Sequence, residues 1–216
     1  MFSTYRPNVS TDTKFLAALL STSRKNTFEE ALQEMCAVVK GTYSLLVLFN
    51  DVLYSIRDIT GNRPLIFGKN ENGFIVGSET AVLGVLDGDY IDEVRPGEII
   101  KFRGRPPYGY CRTKIGEVPF EMPRRLQFCL FEMIYLLSPD SIFLGRTVEL
   151  VRRRMGMNLF LEHPLKADIV CGVPDSGRPA ARGYADSSGI IYEEGLFRSH
   201  YAGRMFIDPI ADRPGK

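Results

Sequence analysis

The sequence has little that would mark a nucleic-acid, membrane or metal protein. Its 27 Lys and Arg against 26 Asp and Glu leave a net charge of +1, so no whole-molecule field draws it to a polyanion or a lipid surface. No apolar run approaches the ~18 residues of a membrane span. The opening Met1-Phe-Ser-Thr-Tyr-Arg6 lacks the basic-then-apolar pattern of a secretion signal. The two histidines, His163 and His200, lie far apart and form no metal or triad constellation. The four cysteines (Cys36, Cys111, Cys129 and Cys171) lack the paired spacing of a zinc site. Three of them sit among apolar or aromatic neighbours, which suits reduced, buried thiols and a cytoplasmic protein. There is no internal repeat and no low-complexity tract.

What is present is an ordinary globular composition over 216 residues, enough for one large or two modest domains with real cores. Thr11–Leu20 reads as a helix with Phe15, Ala18 and Leu19 on one face. Thr27-Phe-Glu-Glu30 has capping-box spacing. Behind it Phe28, Ala31, Leu32, Met35, Val38 and Val39 recur at helical intervals until Gly41. The period then changes. Tyr43–Phe49 and Val52–Ile56 predict strands joined at Asn50-Asp51. Pro64–Gly68 and Gly73–Val76 predict a second hairpin, followed by a short helix after Ser78-Glu79 and strands at Asp92–Pro96 and Glu98–Phe102. Helices followed by hairpins indicate an α+β layered domain. Residues 104–125 read as an irregular connection with an edge strand, ending the first domain near Met122. Ser141–Asn158 then predicts a basic helix with Val148, Val151, Met155 and Leu159 inward.

The most informative stretch is Asp168–Ala185. Ile169, Val170, Cys171 and Val173 read as a strand buried on both faces, which Pro174 ends. Asp175-Ser-Gly177 is a tight polar turn, and Pro179 suits the first turn of a helix that Gly189 stops. A strand breaking through such a turn into a helix aims free amides at one point, a geometry suited to phosphate or carboxylate. Ile190–Tyr192 starts another strand, so a parallel α/β sheet is expected here. After Glu194 the composition turns to arginine, glycine and aromatics, as in a mobile loop offering Arg198 and Arg204 to an anionic ligand.

Val173-Pro-Asp-Ser-Gly177, Gly189-Ile-Ile-Tyr-Glu-Glu-Gly195 and Tyr201-Ala-Gly-Arg-Met-Phe-Ile-Asp-Pro209 resemble the phosphoribosyltransferase half of the amidophosphoribosyltransferase family. Cys129-Leu-Phe-Glu-Met-Ile-Tyr-Leu-Leu-Ser-Pro-Asp-Ser141 resembles that family's domain junction. Arg57-Asp-Ile-Thr-Gly-Asn-Arg-Pro-Leu65 and Gly77-Ser-Glu79 resemble its glutaminase half. The motifs run in one order from about Ser10 to Pro209.

The resemblance implies a partial N-terminal-nucleophile glutaminase layer fold over 1–122 and a partial, Rossmann-like phosphoribosyltransferase over 123–216. It implies the first step of de novo purine synthesis, in which glutamine and phosphoribosyl pyrophosphate yield 5-phosphoribosylamine, with Mg2+ on the pyrophosphate. Ser10-Thr-Asp-Thr13 resembles the family element whose aspartate receives the ammonium of glutamine, which assigns that role to Asp12; capping of the first helix is the alternative. Asp175, Ser176 and Gly177 become the pyrophosphate-side turn, and Arg198 and Arg204 the lid. Gly177 replaces a serine that some members place near magnesium. Arg57-Asp58 and Arg63-Pro64 bracket Gly61 and are expected to fix hairpin ends internally. Gly77-Ser-Glu79 is expected to shape a pocket wall. Cys129 resembles a ligand of a 4Fe-4S cluster in some members, against the alternative of a thiol packed between Phe128 and Phe131.

The family's N-terminal cysteine, Asn-Gly oxyanion segment, glutamine-clamping arginine and Asp-Asp-Ser phosphate loop find no counterpart. The expectation is therefore a central fragment without turnover of its own and without catalytic residues, from a family of homo-oligomers that contacts neither nucleic acid nor membrane. A non-catalytic protein that binds a phosphorylated ligand, or associates with a homologue, is the alternative.

Overall fold

The computed structural model describes residues 11–104, 110–117 and 126–199. The chain divides into two compact units, Met1–Glu132 with Ser141–Leu144, and Met133–Asp140 with Gly145–Lys216. Gln127 N donates to Thr60 O at 2.8 Å and Cys129 N to Asn62 O at 3.0 Å. The segment after residue 125, read from sequence as the start of the second domain, thus packs with the first unit up to Glu132.

In the first unit, α1 (Asp12–Thr22) is capped by Thr11, whose Oγ1 accepts from Lys14 N at 3.3 Å. Leu16, Leu19 and Leu20 are its packed face, whereas Phe15, expected inward, is exposed. α2 (Phe28–Val38) begins with the predicted capping box between Thr27 and Glu30. Ala31, Leu32, Met35 and Cys36 are its buried residues. Val38, also expected inward, is exposed, because the stripe set by Leu32 and Met35 runs through Cys36 and Val39 instead.

Strands β1 (Ser44–Phe49) and β2 (Val52–Arg57) pair antiparallel with Phe49 opposite Val52. Asn50 and Asp51 both take positive φ, 48° and 61°, as a two-residue hairpin turn demands. β3 (Ile66–Asn70) and β4 (Gly73–Gly77) form the second hairpin. α3 (Ala81–Val85) follows, then β5 (Asp89–Glu93), β6 (Glu98–Gly104) and β7 (Tyr110–Glu117). The sheets have the orders β1-β2-β6-β7 and β4-β3-β5. One core lies between α1, α2 and the larger sheet, around Leu32, Tyr54, Ile56 and Ile99. A second, around Phe67, Val94, Ile100 and Phe102, fills the space between the sheets. Even positions of β6 thereby face one core and Ile99 the other, the alternation a strand requires. β8 (Ile142–Phe143) ends this unit.

A π-helical turn, Glu132–Leu136, leads into the second unit, followed by β9 (Arg146–Thr147), α4 (Val148–Glu162), β10 (Ile169–Val170), α5 (Gly177–Ser188) and β11 (Ile191–Tyr192). α4 begins later than expected, at Val148, and its buried stripe is Val148, Arg152 and Gly156; Leu159, expected inward, is 50% exposed. A Cβ on Gly156 would stand 1.8 Å from Ala180 O, and one on Gly183 1.9 Å from Arg153 O. The two helices therefore cross in backbone contact, running antiparallel past each other, and the narrow seam goes to glycine in place of Leu159. Arg152 is buried because its guanidinium donates to Met133 O at 2.7 Å and Leu137 O at 2.8 Å, satisfying carbonyls that a chain turn would leave bare. Tyr184 Oη donates to His163 O and accepts from Leu165 N, both at 3.0 Å, which ties the end of α4 to α5.

β10 and β11 pair in parallel, Ile169 with Ile191 and Val170 with Tyr192, as expected. The double-sided burial expected of this run is not found: Ile169 is 53% and Val173 68% exposed. A parallel sheet hides both faces only when helices or further strands flank it, and two short strands offer little to cover them. Among the described residues no helix is long and apolar enough to cross a membrane.

Candidate functional site

In the second unit the chain leaves β10 through Cys171 and Gly172 and enters α5 at Gly177. A Cβ on Gly172 would lie 2.8 Å from the Arg178 Cα, so glycine lets the strand end press against the helix head. Ser176 is the N-cap residue, in a helical conformation and without a side-chain capping bond. Gly177 N donates to Val173 O at 3.0 Å and Arg178 N, more weakly, to Asp175 O at 3.4 Å. Part of the amide cluster expected from sequence is thus spent inside the turn. Among the described residues the amides of Asp175 and Ser176 have no hydrogen-bond partner. At the other end Gly189 closes α5 with φ 73° and donates to Ala185 O, the predicted left-handed stop.

The structure brings two predicted site residues together. Arg198 Nη1 donates to Asp175 Oδ2 at 3.4 Å, with both side chains about 60% exposed. The loop carrying Arg198 is held at its root. Gly195 N donates to Cys171 Sγ at 3.3 Å, and Glu194 faces Arg182 at 3.5 Å and Arg178 at 4.0 Å. Arg182 also lies over the Tyr192 ring. Two carboxylates and three guanidinium groups near one helix head make a region where an anion of more than one charge competes with Asp175 and Glu194 for the arginines. Arg204 lies outside the described residues.

In the first unit Asp12 is an exposed first-turn residue of α1. Capping falls to Thr11, so the capping alternative for Asp12 is not what the structure shows, and among the described residues no hydrogen bond occupies its carboxylate. Arg57 and Asp58 are fully buried. Arg57 donates to Arg63 O at 2.9 Å, Val94 O at 2.7 Å, Gly61 O at 3.0 Å and Glu93 at 3.0 Å. Asp58 accepts from Thr60 N at 2.8 Å, Gly61 N at 3.0 Å and the Thr60 hydroxyl. The pair ties the turn at Gly61, where φ is +62° and an added Cβ would meet Pro96 at 2.6 Å, to Glu93, Val94 and the Tyr43 amide. Their internal, structural use is as the sequence suggested.

One buried carboxylate here was given no role of its own by sequence. Glu132 is 2% exposed, with Oε1 2.6 Å from Arg63 Nε; the alignment is that of an ion pair and no proper hydrogen bond reaches that oxygen. Burial raises its carboxyl above the usual range, Arg63 opposes the shift and Glu79 adds to it. Glu79 in turn accepts from Ser141 Oγ at 2.8 Å, and Ser141 Oγ accepts from Ala81 N. The Gly77-Ser-Glu79 segment is thus braced against Ser141. Only the placement of Glu132 inside an apolar run, Phe131 to Leu137, could have signalled its burial.

Cys129 is half-buried, and Cys36, Cys129 and Cys171 are free thiols. Burial pushes the Cys36 thiol up to about 11, so it is inert at neutral pH. Among the described residues no group of three or more His, Cys, Asp or Glu is placed to hold a metal ion. Cys129 has no companion ligand among those residues. Phe128, at its side, packs edge-on to Phe143 with centroids 5.8 Å apart.

The chain is 39% identical over 203 residues to the chloroplastic amidophosphoribosyltransferase of Vigna aconitifolia, a match spanning 94% of this chain and 40% of that protein. It is 37% identical over 211 residues to the amidophosphoribosyltransferase of Methanocaldococcus jannaschii, covering 93% of this chain and 44% of the other. The chain belongs with the amidophosphoribosyltransferases. Its fold agrees: the glutamine phosphoribosylpyrophosphate amidotransferase of B. subtilis, solved with ADP and GMP, superposes with a TM-score of 0.80 at 34% identity over 93% of this chain and 42% of that one. A structure described as the allosteric regulatory enzyme of purine biosynthesis also gives 0.80, at 33% identity. No protein-family model matches. The chain spans about two fifths of the length of these relatives.

Proposed function

We propose that the chain is part of an amidophosphoribosyltransferase acting at the entry to de novo purine synthesis, where ammonia from glutamine replaces the pyrophosphate of phosphoribosyl pyrophosphate. The observation that carries this reading is the identity of 37–39% with enzymes of that name along nearly the whole chain. In this reading the first unit is a partial glutaminase layer and the second a partial phosphoribosyltransferase.

The second unit binds the pyrophosphate end of the substrate at the head of α5. The amides of Asp175 and Ser176, without a partner among the described residues, donate to it, and Arg198 exchanges its Asp175 partner for a phosphate oxygen. Arg204 from the following segment adds a second guanidinium. Displacement of pyrophosphate is a matter of positioning and charge neutralisation. Mg2+ would be held chiefly by the substrate's own phosphates, since it needs only one or two protein carboxylates when phosphates complete its shell; Asp175 is the carboxylate of that turn that would face it, and Gly177 brings no side chain to it. In the first unit Asp12, with its carboxylate open to solvent, receives the ammonium of glutamine.

The chain by itself binds without turnover, because it spans about two fifths of the catalysing relatives. The test is calorimetric titration of the chain with phosphoribosyl pyrophosphate and Mg2+. Binding that weakens severalfold in Arg198→Ala and in Asp175→Asn supports the site. Absence of any heat of binding, or affinity unchanged in both variants, overturns it.

A further inference from the structure

β10 and β11 pair in parallel through Val170 and Tyr192, and Glu193 N donates to Val170 O at 3.0 Å. A regular parallel ladder repeats that bond at the next register step, which would take Gly195 N to Gly172 O. The chain does otherwise. Gly195 N donates to Cys171 Sγ at 3.3 Å, and the thiol in turn donates to Gly172 O at 3.9 Å. A half-buried side chain thus stands between an amide and the carbonyl that a continued strand would give it. Gly172 is meanwhile pressed on the head of α5, where a Cβ would lie 2.8 Å from the Arg178 Cα. The two strands part around a sulfur atom, and the amide stays satisfied.

We propose that Cys171 is the positioning residue for Arg198, an inference that rests on the pyrophosphate site proposed at the head of α5. Two contacts close a ring there. Cys171 leads forward to Asp175 and Gly195 leads forward to Arg198. The ring is shut at one end by the thiol on the Gly195 amide, at the other by Arg198 Nη1 on Asp175 Oδ2 at 3.4 Å. Among the described residues the next backbone anchor behind Gly195 is Glu193 N on Val170 O. Glu194, between them, is held through its side chain alone, 3.5 Å from Arg182 and 4.0 Å from Arg178, and such partly exposed pairs hold weakly. Losing the thiol therefore lengthens the tether of Arg198 from about three residues to about five. Closure entropy grows slowly with tether length, so the expected loss of affinity is about two- to threefold. A serine hydroxyl can accept from the amide and donate to the carbonyl as the thiol does, whereas valine fills comparable space and does neither.

Calorimetric titration with phosphoribosyl pyrophosphate and Mg2+, together with hydrogen exchange at the Gly195 amide, tests this role. Cys171→Val is expected to speed exchange at Gly195 and to weaken binding about two- to threefold. Cys171→Ser is expected to keep both near the parent. Packing alone would rank the two variants the other way, since a half-buried apolar place tolerates valine better than serine. In an Arg198→Ala background Cys171→Val should cost no further affinity, because Cys171 acts through that guanidinium. Where the parent binds, three results overturn the positioning role and leave the site standing: unchanged affinity in Cys171→Val, a Cys171→Ser variant as weak as Cys171→Val, or a loss that persists without Arg198. Exchange at Gly195 unaltered in Cys171→Val overturns the role without reference to any ligand. A parent that gives no heat of binding removes the site, and the role of Cys171 with it.

Discussion

Substituting Gly156 by alanine tests how α5, and with it the turn at Asp175, is held. A Cβ there would come within 1.8 Å of Ala180 O and 2.6 Å of its carbonyl carbon. Both obstacles are backbone, so no side chain can swing aside, and the helices must separate by more than an ångström to restore ordinary contact. Overpacking of this kind costs about 1–3 kcal/mol, here at the upper end because the whole seam opens. Replacing a helical glycine by alanine returns about 1 kcal/mol through propensity, leaving a net loss of about 2 kcal/mol. Gly84, in α3, has nothing within 4 Å of a built Cβ, so Gly84→Ala should be neutral or stabilising by up to about 1 kcal/mol. Urea denaturation followed by circular dichroism measures both, and hydrogen exchange of the α5 amides localises the first. If Gly156→Ala is as stable as the parent, or behaves like Gly84→Ala, the backbone-contact account of the α4–α5 seam is wrong.

Arg57→Met should cost about 3–5 kcal/mol, since it strips donors from buried carbonyls and from Glu93 together; chemical denaturation checks it, and a loss under 1 kcal/mol would contradict the assigned role. Glu132 has a folded-state affinity for its proton above the unfolded one, because burial outweighs Arg63. Its contribution to stability is therefore full below the usual carboxylate range and lost as pH rises through the raised value. Glu132→Gln should flatten the dependence of the melting temperature on pH above the usual carboxylate value, and equal slopes in parent and variant would refute this. Glu29 is shifted the other way, lowered first by its hydrogen bond from Lys101 at 2.6 Å. Its contribution is present above the unfolded carboxylate value and disappears as pH falls through the lowered one. Lys101→Met should remove about 0.5–1 kcal/mol at neutral pH, the pair being partly exposed, with the difference vanishing in acid.

The local grammar of this chain was legible in its residues. The Thr27–Glu30 capping box, the Asn50-Asp51 turn, the Gly189 stop and the parallel relation of β10 to β11 all rest on interactions within a few residues, or on one fixed chirality, and need no partner to be specified. The internal use of Arg57-Asp58 was equally open to reading, because a guanidinium and a carboxylate beside a glycine turn demand partners close at hand. What the tertiary structure alone decided was which side of each pattern is inside. Periodicity made Phe15, Val38 and Leu159 as good as their neighbours, yet the seam chose Leu16, Cys36, Arg152 and Gly156, since burial depends on what another segment presents at that height. The exposure of Ile169 and Val173 was likewise invisible, because an apolar run states a demand for cover without supplying it. Asp175 and Arg198, 23 positions apart in sequence, meet only because α5 and β11 return the chain to the same end of the strands; distance along a chain carries no record of that closure.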